Sequence, residues 1–254
     1  MASCYMSGHS KWSTIKRQKG ISDQKRGQAF TKLAGAITIA VRQGGGVSDP
    51  NSNFKLRLAI EKARSVNMPK DNIERAIERG KGADKGEGFD EVVYEAFAPG
   101  GVSLIVEAAT DKKTRTTGDV KNMLEKNGAT MGVQGSVLYQ FQSKGMITVK
   151  KNNMTADDIM LIAADVGADD IEDADDVVLV YTKPDAVAKI KDALTEQGMT
   201  VQEFELTRKP ITNIIINDKE TADKILSLLD KLESLDDVQK VYANFDISDT
   251  ILAS

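Results

Sequence analysis

A glycine-rich segment near residue 85 separates two parts of the chain that differ in the spacing of their apolar residues. Four glycines fall within nine residues here, among charged residues and without an apolar period: Gly80, Gly82, Gly86 and Gly88. This composition is typical of a flexible linker. Because the spacing of apolar residues indicates whether a segment forms helices or strands, each part can be assigned its own structure. The sequence predicts an α+β protein with several domains.

Before the linker, apolar residues recur at helical spacing. A helix is predicted over 22–42, and Gly44 to Gly46 end it. A second helix is predicted from Asp49-Pro50 to about residue 66, because proline suits the first helical position. A third is predicted over 69–80. Since short helices persist only when their apolar faces pack together, residues 1–85 are predicted to form a basic tail and a small helical bundle.

After the linker, strands and helices alternate. Strands are predicted at 92–98, 102–109, 136–141, 146–150, around Ile171, and at 177–182, 201–207, 211–217 and 238–245, and helices at 117–126, 155–166, 185–197 and 221–232. The middle of this series has the βαββαβ order of a ferredoxin-like unit. The first run lacks a complete sheet without the last βαβ run. Residues 143–209 are therefore predicted to form a domain inserted into a discontinuous domain of 89–142 plus 210–254.

Both of these domains are expected to be α/β sandwiches with helices on one face of a sheet. The alternative is three consecutive domains with a self-contained C-terminal unit. A unit of roughly 45 residues buries little core, which favours the inserted arrangement.

The charge of the chain is divided at the same linker. Residues 1–85 hold 17 lysines and arginines against seven acidic residues, whereas the remaining residues hold 17 basic residues against 31 acidic ones. These parts carry +10 and −14, and the overall net charge of −4 conceals the difference. Since a partner meets one face of a molecule at a time, a polyanion is attracted to the first part and repelled by the second.

Catalytic and metal-binding residues are scarce. His9 is the single histidine and Cys4 the single cysteine. A Ser-His-Asp or Cys-His device would have to use His9, which lies in a tail rich in Gly, Ser and Lys and is interpreted as a solvated or locally hydrogen-bonded residue. One histidine and one cysteine cannot supply a zinc site within one chain. The acidic run at 169–176 lacks the glycine and the terminal glutamate of an EF-hand loop; it is interpreted as a solvated loop, with weak divalent binding as the alternative. There is no Walker A sequence and no G-x-G-x-x-G motif after a strand. No enzyme activity, metal or cofactor is expected.

The apolar stretches and the single cysteine also bear on location. The longest apolar stretches are far shorter than the roughly 20 residues of a membrane span, so no membrane association is expected. One cysteine cannot form an internal disulfide, which suits a reducing compartment. The cytoplasm is the predicted location, and a monomer is the expected state.

The basic residues of the first part, with one aromatic residue among them, are the candidate site. Phosphate contacts require such side chains on one face, and Trp12 could either stack on an exposed base or pack on the bundle. The predicted nucleic-acid-binding residues, which include one from the second part, are Lys11, Trp12, Lys16, Arg17, Lys19, Lys25, Arg26, Lys32, Arg42, Arg57, Lys62, Lys70, Arg75 and Arg115. Lys55, Arg64 and Arg79 add charge on the same predicted helices.

Several motifs resemble those of the YebC family, which includes the mitochondrial translational activator of cytochrome oxidase subunit synthesis. The most specific is the run from Asn67 to Ile77, NMPKDNIERAI; the others include Gly8-His9-Ser10-Lys11-Trp12, Gly44-Gly45-Gly46, Asp49-Pro50, Tyr94-Glu95 and Gly135-Ser136-Val137. The resemblance covers nearly the whole chain from Met6. It implies a helical N-terminal domain and two α/β domains, one inserted in the other. Bacterial members of the family are described as DNA-binding transcriptional regulators, and others act in translation at the ribosome, including on proline-rich stretches.

The sequence departs from the family pattern at three places. It has Ala34-Gly35-Ala36 where the family often has a basic-acidic pair, and Lys112-Lys113-Thr114-Arg115-Thr116 in place of an asparagine-rich run. The segment from Met1 to Tyr5 precedes the usual start of the family. Contacts that depend on those asparagines are not expected here, although Arg115 is retained.

These observations predict a non-enzymatic regulator of gene expression that binds nucleic acid through its N-terminal part. The first hypothesis is a DNA-binding transcriptional regulator. The alternative is a ribosome-associated translation factor that binds rRNA and assists the synthesis of proline-rich sequences. Phosphate contacts look alike in both polymers, so the sequence leaves DNA and RNA open.

Overall fold

The computed structural model describes residues 23–82, 89–152, 154–174 and 176–247, with side chains in the first helix from Gln28 onward. The helices are α1 (Asp23–Gln43), α2 (Phe54–Ser65), α3 (Lys70–Lys81), α4 (Lys113–Lys126), α5 (Ala156–Asp165), α6 (Val187–Glu196) and α7 (Lys219–Glu233). The strands are β1 (Asp90–Phe97), β2 (Ser103–Thr110), β3 (Thr130–Met131), β4 (Phe141–Lys150), β5 (Asp170–Ala174), β6 (Val177–Thr182), β7 (Thr200–Pro210), β8 (Ile214–Ile216), β9 (Val238–Ala243) and β10 (Phe245–Ile247). The described residues thus form a mixed α/β structure with two four-stranded antiparallel sheets and one parallel pair of strands.

The described residues form two compact units. The first unit contains residues 23–138 and 218–243, and the second contains residues 139–217 and 244–247. The chain leaves the first unit after residue 138, returns to it at residue 218 and leaves it again after residue 243. The division into three domains stays a prediction.

Helices α1, α2 and α3 of the first unit pack around one apolar cluster. Its most deeply buried members include Ile37, Val41 and Leu56. Helix α3 approaches α1 closely at Gly80, where a β-carbon would lie 2.6 Å from Cβ of Val41. Gly80 therefore belongs to a helix contact, and its interpretation as part of the linker was wrong.

The sheet of the first unit has the strand order β3-β1-β2-β9, with antiparallel neighbours throughout. Seven of the eight residues of β2 are buried. Helix α1 contacts β2 and β9, α4 contacts β1 and β2, and α7 contacts β9. A strand buried along nearly its whole length requires cover on both faces, which explains why β2 reads as a continuous apolar run.

The sheet of the second unit has the order β5-β6-β4-β7, and its neighbours are antiparallel. Its elements follow one another along the chain in the order βαββαβ. A β-carbon on Gly145 would lie 2.5 Å from Cβ of Val187, so the residues of β4 on that side face α6. Strands β8 and β10 form a separate parallel pair.

The predicted strand over 136–141 was wrong. Residues Leu138–Gln140 form a single 3-10 turn, and β4 begins only at Phe141. The backbone N–H groups of Gly135, Val137 and Leu138 donate to the carboxylate of Glu95, which is 4% exposed. Because these N–H groups serve a side chain, they are not available to a strand ladder.

The start of α2 also differs from the prediction. The helix begins at Phe54, and Asp49-Pro50 lies in the preceding turn. Asn53 supplies the helix cap, since its Oδ1 atom accepts a hydrogen bond from the Leu56 N–H at 3.1 Å. A side-chain acceptor at this position satisfies one of the unpaired N–H groups of the first turn, so Asn53, and not the proline, sets the boundary.

Candidate nucleic-acid interface

The loop between α1 and α2 is fixed by two polar side chains. Asn53 is 7% exposed, and its Nδ2 atom donates to the carbonyls of Ala40 at 2.8 Å and Val47 at 3.0 Å. A β-carbon on Gly44 would collide with the Asn53 amide, which accounts for the first glycine of the Gly44-Gly45-Gly46 motif. Asn53 therefore orients α2 with respect to α1.

The same loop contains a local turn at Asp49. Its carboxylate accepts from the backbone N–H of Asn51 at 3.0 Å and from the hydroxyl of Ser52 at 3.1 Å. These bonds, the backbone one first, lower the pKa of Asp49. The Asp49-Pro50 motif thus closes a turn that leads into the Asn53 cap.

The turn between α2 and α3 depends on the NMP part of the long motif. Asn67 has a positive φ of 60°, a conformation that asparagine tolerates better than most residues. Met68 follows it into the core at 6% exposure, and Pro69 precedes the first residue of α3. The motif therefore joins two helices in four residues.

Helix α2 presents four basic side chains around its buried strip. Leu56, Ile60 and Ala63 face the core. The basic residues lie at the other positions of the helix, together with one acidic residue, Glu61; they are Lys55, Arg57, Lys62 and Arg64. We call these four residues the α2 basic set. Its pairs seven residues apart are separated by about 10 Å along the axis, since each residue rises 1.5 Å.

An aromatic ring lies beside this set. The guanidinium carbon of Arg57 lies 5.7 Å from the ring centroid of Phe54, which is within the range of a cation–π contact. Lys55 donates to the side-chain oxygen of Gln43 at 2.5 Å, and both side chains are exposed. The sequence singled out Arg57 and Lys62, but not Phe54, because a single phenylalanine carries no recognisable pattern.

The basic residues of α3 are paired locally with polar and acidic neighbours. Lys70 lies 3.3 Å from Glu74 at the exposed surface. Arg75 donates to the Asp71 carbonyl at 3.2 Å and also to the Asn72 side chain. Exposed pairs of this kind are weak and screened by salt, so Lys70 and Arg75 can still meet another partner.

Lys32 and Arg42 of α1 contact the α/β part of the first unit. The Lys32 ammonium donates to the Glu233 carbonyl at the end of α7, beside Gln28, which donates to the Ser234 carbonyl at 3.5 Å. Arg42 donates to the carbonyl of Phe89. A cation at a helix C-terminus is stabilising because the last carbonyls carry partial negative charge. The structure therefore places these two predicted site residues in internal contacts.

Arg115 lies in a polar network on the α/β part, apart from the helical residues in sequence. Its guanidinium contacts Asp111 and Asp237, each at 2.8 Å. The Asp237 carboxylate also accepts from the buried hydroxyls of Thr116 at 2.6 Å and Thr110 at 3.2 Å. Sequence reasoning missed this network because Asp237 is more than 120 residues from its partners.

The network shifts the pKa values of its members. Burial acts to raise the pKa of Asp237, but the bonds from Thr116 and Arg115 outweigh it and lower that pKa. Hydrogen bonds to Asp237 and then to Asp111 raise the pKa of Arg115. The Arg115 charge thus joins the start of α4 to the segment before β9.

The remaining predicted residues cannot be placed. Lys11, Trp12, Lys16, Arg17 and Lys19 lie outside the described residues. Lys25 and Arg26 belong to helix α1, but only their backbone lies within the described part. Nucleic-acid contact by these residues stays a prediction.

The described part of the chain holds neither a metal-binding cluster nor a membrane-spanning helix. Within residues 23–82, 89–152, 154–174 and 176–247, no group of three or more His, Cys, Asp or Glu residues is arranged to hold a metal ion. No helix in the described part is long and apolar enough to cross a membrane.

Comparison with known proteins covers both parts of the chain. Residues 10–83 match the TACO1/YebC protein N-terminal domain, and residues 89–245 match the TACO1/YebC second and third domain. The two matched ranges meet near the glycine-rich segment.

Curated relatives match over nearly their full length. A protein of Herpetosiphon aurantiacus is 48% identical over 97% of this chain and 97% of the relative. One of Persephonella marina is 46% identical over 97% and 98%, and one of Aquifex aeolicus is 44% identical over 97% and 98%. All three are named "Probable transcriptional regulatory protein".

A solved structure is similar as well. The crystal structure of a conserved hypothetical protein from Aquifex aeolicus superposes with a TM-score of 0.83 at 43% sequence identity, over 91% of this chain and 94% of that one. Sequence and structure thus agree over both parts of the molecule, and the chain belongs to the TACO1/YebC family.

Proposed function

We propose that this protein is a non-enzymatic regulator of gene expression that binds nucleic acid through its helical part, with DNA as the first candidate. The observation that carries the proposal is the α2 basic set, four cations against one carboxylate on one 12-residue helix. The relatives' printed name, "Probable transcriptional regulatory protein", supports the same class of function.

The geometry of the set suits a phosphate backbone. The helix is about 18 Å long, so its two pairs of cations can reach phosphates on either side of a groove about 12 Å wide. Long basic side chains contact phosphates without reading bases. We therefore propose binding that depends more on charge than on sequence.

Other predicted residues would extend this surface. Lys25 and Arg26 precede the described side chains of α1, and the segment before them carries Lys11, Lys16, Arg17 and Lys19. Lys70 and Arg75 add two cations on α3. Lys32, Arg42 and Arg115 are proposed to contribute less to nucleic-acid binding, because each already binds a partner within the protein.

Binding of rRNA by a ribosome-associated translation factor remains the second candidate, and the division of charge favours it. The residues after the linker carry 31 acidic groups against 17 basic ones. A long naked polyanion repels this part, whereas a ribosome presents both phosphates and basic proteins. We further propose that residues 143–209 form a domain inserted into a discontinuous domain of 89–142 plus 210–254, which would give the acidic part its own contact surface.

The test is a fourfold variant of the α2 basic set, Lys55→Ala with Arg57→Ala, Lys62→Ala and Arg64→Ala. Affinity for duplex DNA should fall, and the slope of log affinity against log salt should become less steep by about 3.6, or by about 2.8 on single-stranded RNA, because each lost phosphate contact removes 0.9 or 0.7. The measurement is fluorescence anisotropy of a labelled duplex and a labelled single-stranded RNA over a series of salt concentrations.

The matched control removes the same charge elsewhere, from the exposed lysines Lys113, Lys121, Lys126 and Lys224. Equal losses in both variants would show that only net charge matters, and would contradict the proposed surface. Sedimentation of lysate through a sucrose gradient at low and high salt then separates the two functions. Salt-sensitive migration with ribosomes that the α2 variant loses would favour translation over transcription.

A further inference from the structure

One face of the β5-β6-β4-β7 sheet is turned away from its helices. Val187 approaches Gly145, so the neighbouring residue Met146 points to the opposite side. Tyr181 lies directly across from Met146, and Leu179 across from Thr148. Both crossover helices of a right-handed βαββαβ unit lie on the same face of the sheet. We call the side that carries Met146, Thr148, Leu179 and Tyr181 the second face.

The centre of the second face is buried. Met146 is 6% exposed, Leu179 1% and Tyr181 5%. They form an apolar cluster with Ala174 and Val177, and all five residues come from strands of this sheet. An apolar sheet face of this size requires cover by another element. No described helix contributes an apolar residue to this cluster.

Acidic side chains surround this apolar centre. Asp170 and Glu172 of β5 lie across from Tyr181 and Leu179, so they share the second face. On the other side, Glu203 and Glu205 of β7 lie across from Thr148 and Met146. Lysine is present too: Lys209 lies with Nζ 4.0 Å from the centroid of the Tyr181 ring and 2.8 Å from Glu172.

The balance of charge on the second face is negative. Four carboxylates lie on it against three lysines, Lys209, Lys150 and Lys144, of which the last lies 2.8 Å from Asp169. Burial, reinforced by the neighbouring Glu172, raises the pKa of the Tyr181 hydroxyl, so this ring stays neutral. A complementary segment would therefore combine basic side chains with a few apolar ones.

We propose that the second face binds the basic N-terminal segment, residues 1–22, of the same chain. This segment carries four cations and no carboxylate, and Trp12 and Ile15 lie among the cations. Its apolar side chains match the buried centre, and its cations match the acidic surroundings. Fully extended, 22 residues span roughly 70 Å, which is more than the width of a compact domain of ordinary size.

The C-terminal segment is a poorer match. Residues 248–254 carry one carboxylate, Asp249, and no basic residue, so the acidic surroundings would repel them. A second copy of the chain would have to bring its own basic segment to the same face. Charge thus favours the N-terminal segment.

Docking has a consequence for nucleic-acid binding. The cations that contact Glu203 and Glu205 are not available to phosphates, so the second face competes with nucleic acid for the same segment. This competition rests on the proposed function, whereas the docking itself does not. The acidic sheet would act as an internal substitute for the polyanion and reduce weak, non-specific binding.

Trp12 makes the docking measurable, because it is the single tryptophan of the chain. In the full-length protein at low salt, its emission should be blue-shifted and protected from acrylamide relative to a synthetic peptide of residues 1–22. Raising the salt should reduce the protection, because exposed ion pairs are screened within about 10 Å at 0.1 M. Emission and quenching identical to those of the free peptide would overturn the proposal.

Charge reversal on the sheet is the second measurement. Glu203→Lys with Glu205→Lys should release Trp12, and adding Lys16→Glu with Arg17→Glu should restore its protection. The matched control is Asp119→Lys with Glu125→Lys on exposed positions of α4, which changes the net charge equally. Restoration by the second pair of reversals shows that the sheet variant is folded. No release in the sheet variant, or equal release in the control, would overturn the proposal.

Oxidation of Met146 by peroxide, read by mass spectrometry, tests what covers the face. Reversal of Lys11, Lys16, Arg17 and Lys19 to Glu should accelerate it. If Ile251→Asp with Leu252→Asp accelerates it instead, or if dilution does, the occupant is the C-terminal segment or a second copy, and the proposal is wrong.

Duplex DNA added to the wild type should release Trp12. Protected Trp12 in a protein that binds no nucleic acid would leave the docking in place and contradict only the proposed function.

Discussion

The β3-β1-β2-β9 sheet and helix α2 use charged side chains in different ways. Around the sheet, charged groups are joined to the fold: Glu95 binds three backbone N–H groups, and Asp237 joins Arg115 to two buried threonines. On α2, four cations surround a buried strip. Counting charged residues in the sequence does not distinguish a charge that is bound within the fold from one on a helix surface. Charged groups of the first kind bind buried polar groups of the fold, whereas those of the second kind lie beside the buried strip of one helix.

The largest effect on stability is expected at Glu95. Replacing it with alanine leaves the N–H groups of Gly135, Val137 and Leu138 without their buried acceptor, so unfolding free energy should fall by about 3 kcal/mol or more. The measurement is urea unfolding followed by circular dichroism. The matched control is Glu125→Ala, an exposed residue paired only with Lys121 at 3.8 Å. A Glu95 variant as stable as this control would show that the carboxylate does not hold the loop.

A smaller loss is expected at Asp237. Asp237→Ala removes the acceptor of the buried Thr116 and Thr110 hydroxyls, which should lower the unfolding free energy by about 2 kcal/mol. Asp111→Ala is a close control, because Asp111 contacts Arg115 at the same distance of 2.8 Å but is exposed. Equal losses in the two variants would assign the effect to Arg115 alone and not to the threonines.

The same network predicts a dependence on pH. Because the pKa of Asp237 is lowered in the folded state, its contribution is fully present above the unfolded value of about 3.9 and is lost as the pH falls through the folded value. The stability difference between the wild type and Asp237→Asn should therefore shrink below about pH 4. Urea unfolding of both proteins from pH 7 to pH 2 measures it. If the stability difference between the two proteins grew on acidification, the pKa of Asp237 would be raised and not lowered in the folded state.

A still smaller effect is expected for the helix contact of Lys32. Lys32→Met keeps the apolar stem but removes the donor to the Glu233 carbonyl, so the unfolding free energy should fall by about 1 kcal/mol. Arg64→Met, in the α2 basic set, should leave stability unchanged but weaken nucleic-acid binding. If Lys32→Met instead weakened binding as strongly as Arg64→Met, without loss of stability, Lys32 would belong to the binding surface.

The elements could be predicted best where one short-range signal decides them. The predicted helix over 155–166 is present as α5, with a capping box between Thr155 and Asp158, and the strand over 177–182 has the predicted bounds. Two of the wrong predictions have a common cause, a side chain that takes backbone N–H groups. The segment 136–140 is no strand because Glu95, some 40 residues away, takes its N–H groups, and α2 starts late because the Asn53 cap overrides the proline.

The candidate site could also be predicted only as far as short-range signals decide it. Spacing placed the cations of α2 on a helix, and the structure added which of its positions face the core. It also removed Lys32 and Arg42 from the free surface, since each donates to a carbonyl in a distant part of the chain. No local sequence pattern predicts such a contact. Spacing alone could therefore identify a basic helix, but not the internal partners of its neighbours.

The sequence by itself determined the division of charge, the family and most of the helices and strands after the glycine-rich segment. These depend on composition and on spacings of two to four residues, which are local properties of the chain. Only the tertiary structure decided which charges are joined to the fold and which sheet face carries none of the described helices. Both depend on groups that are distant in sequence and come together only when the chain packs.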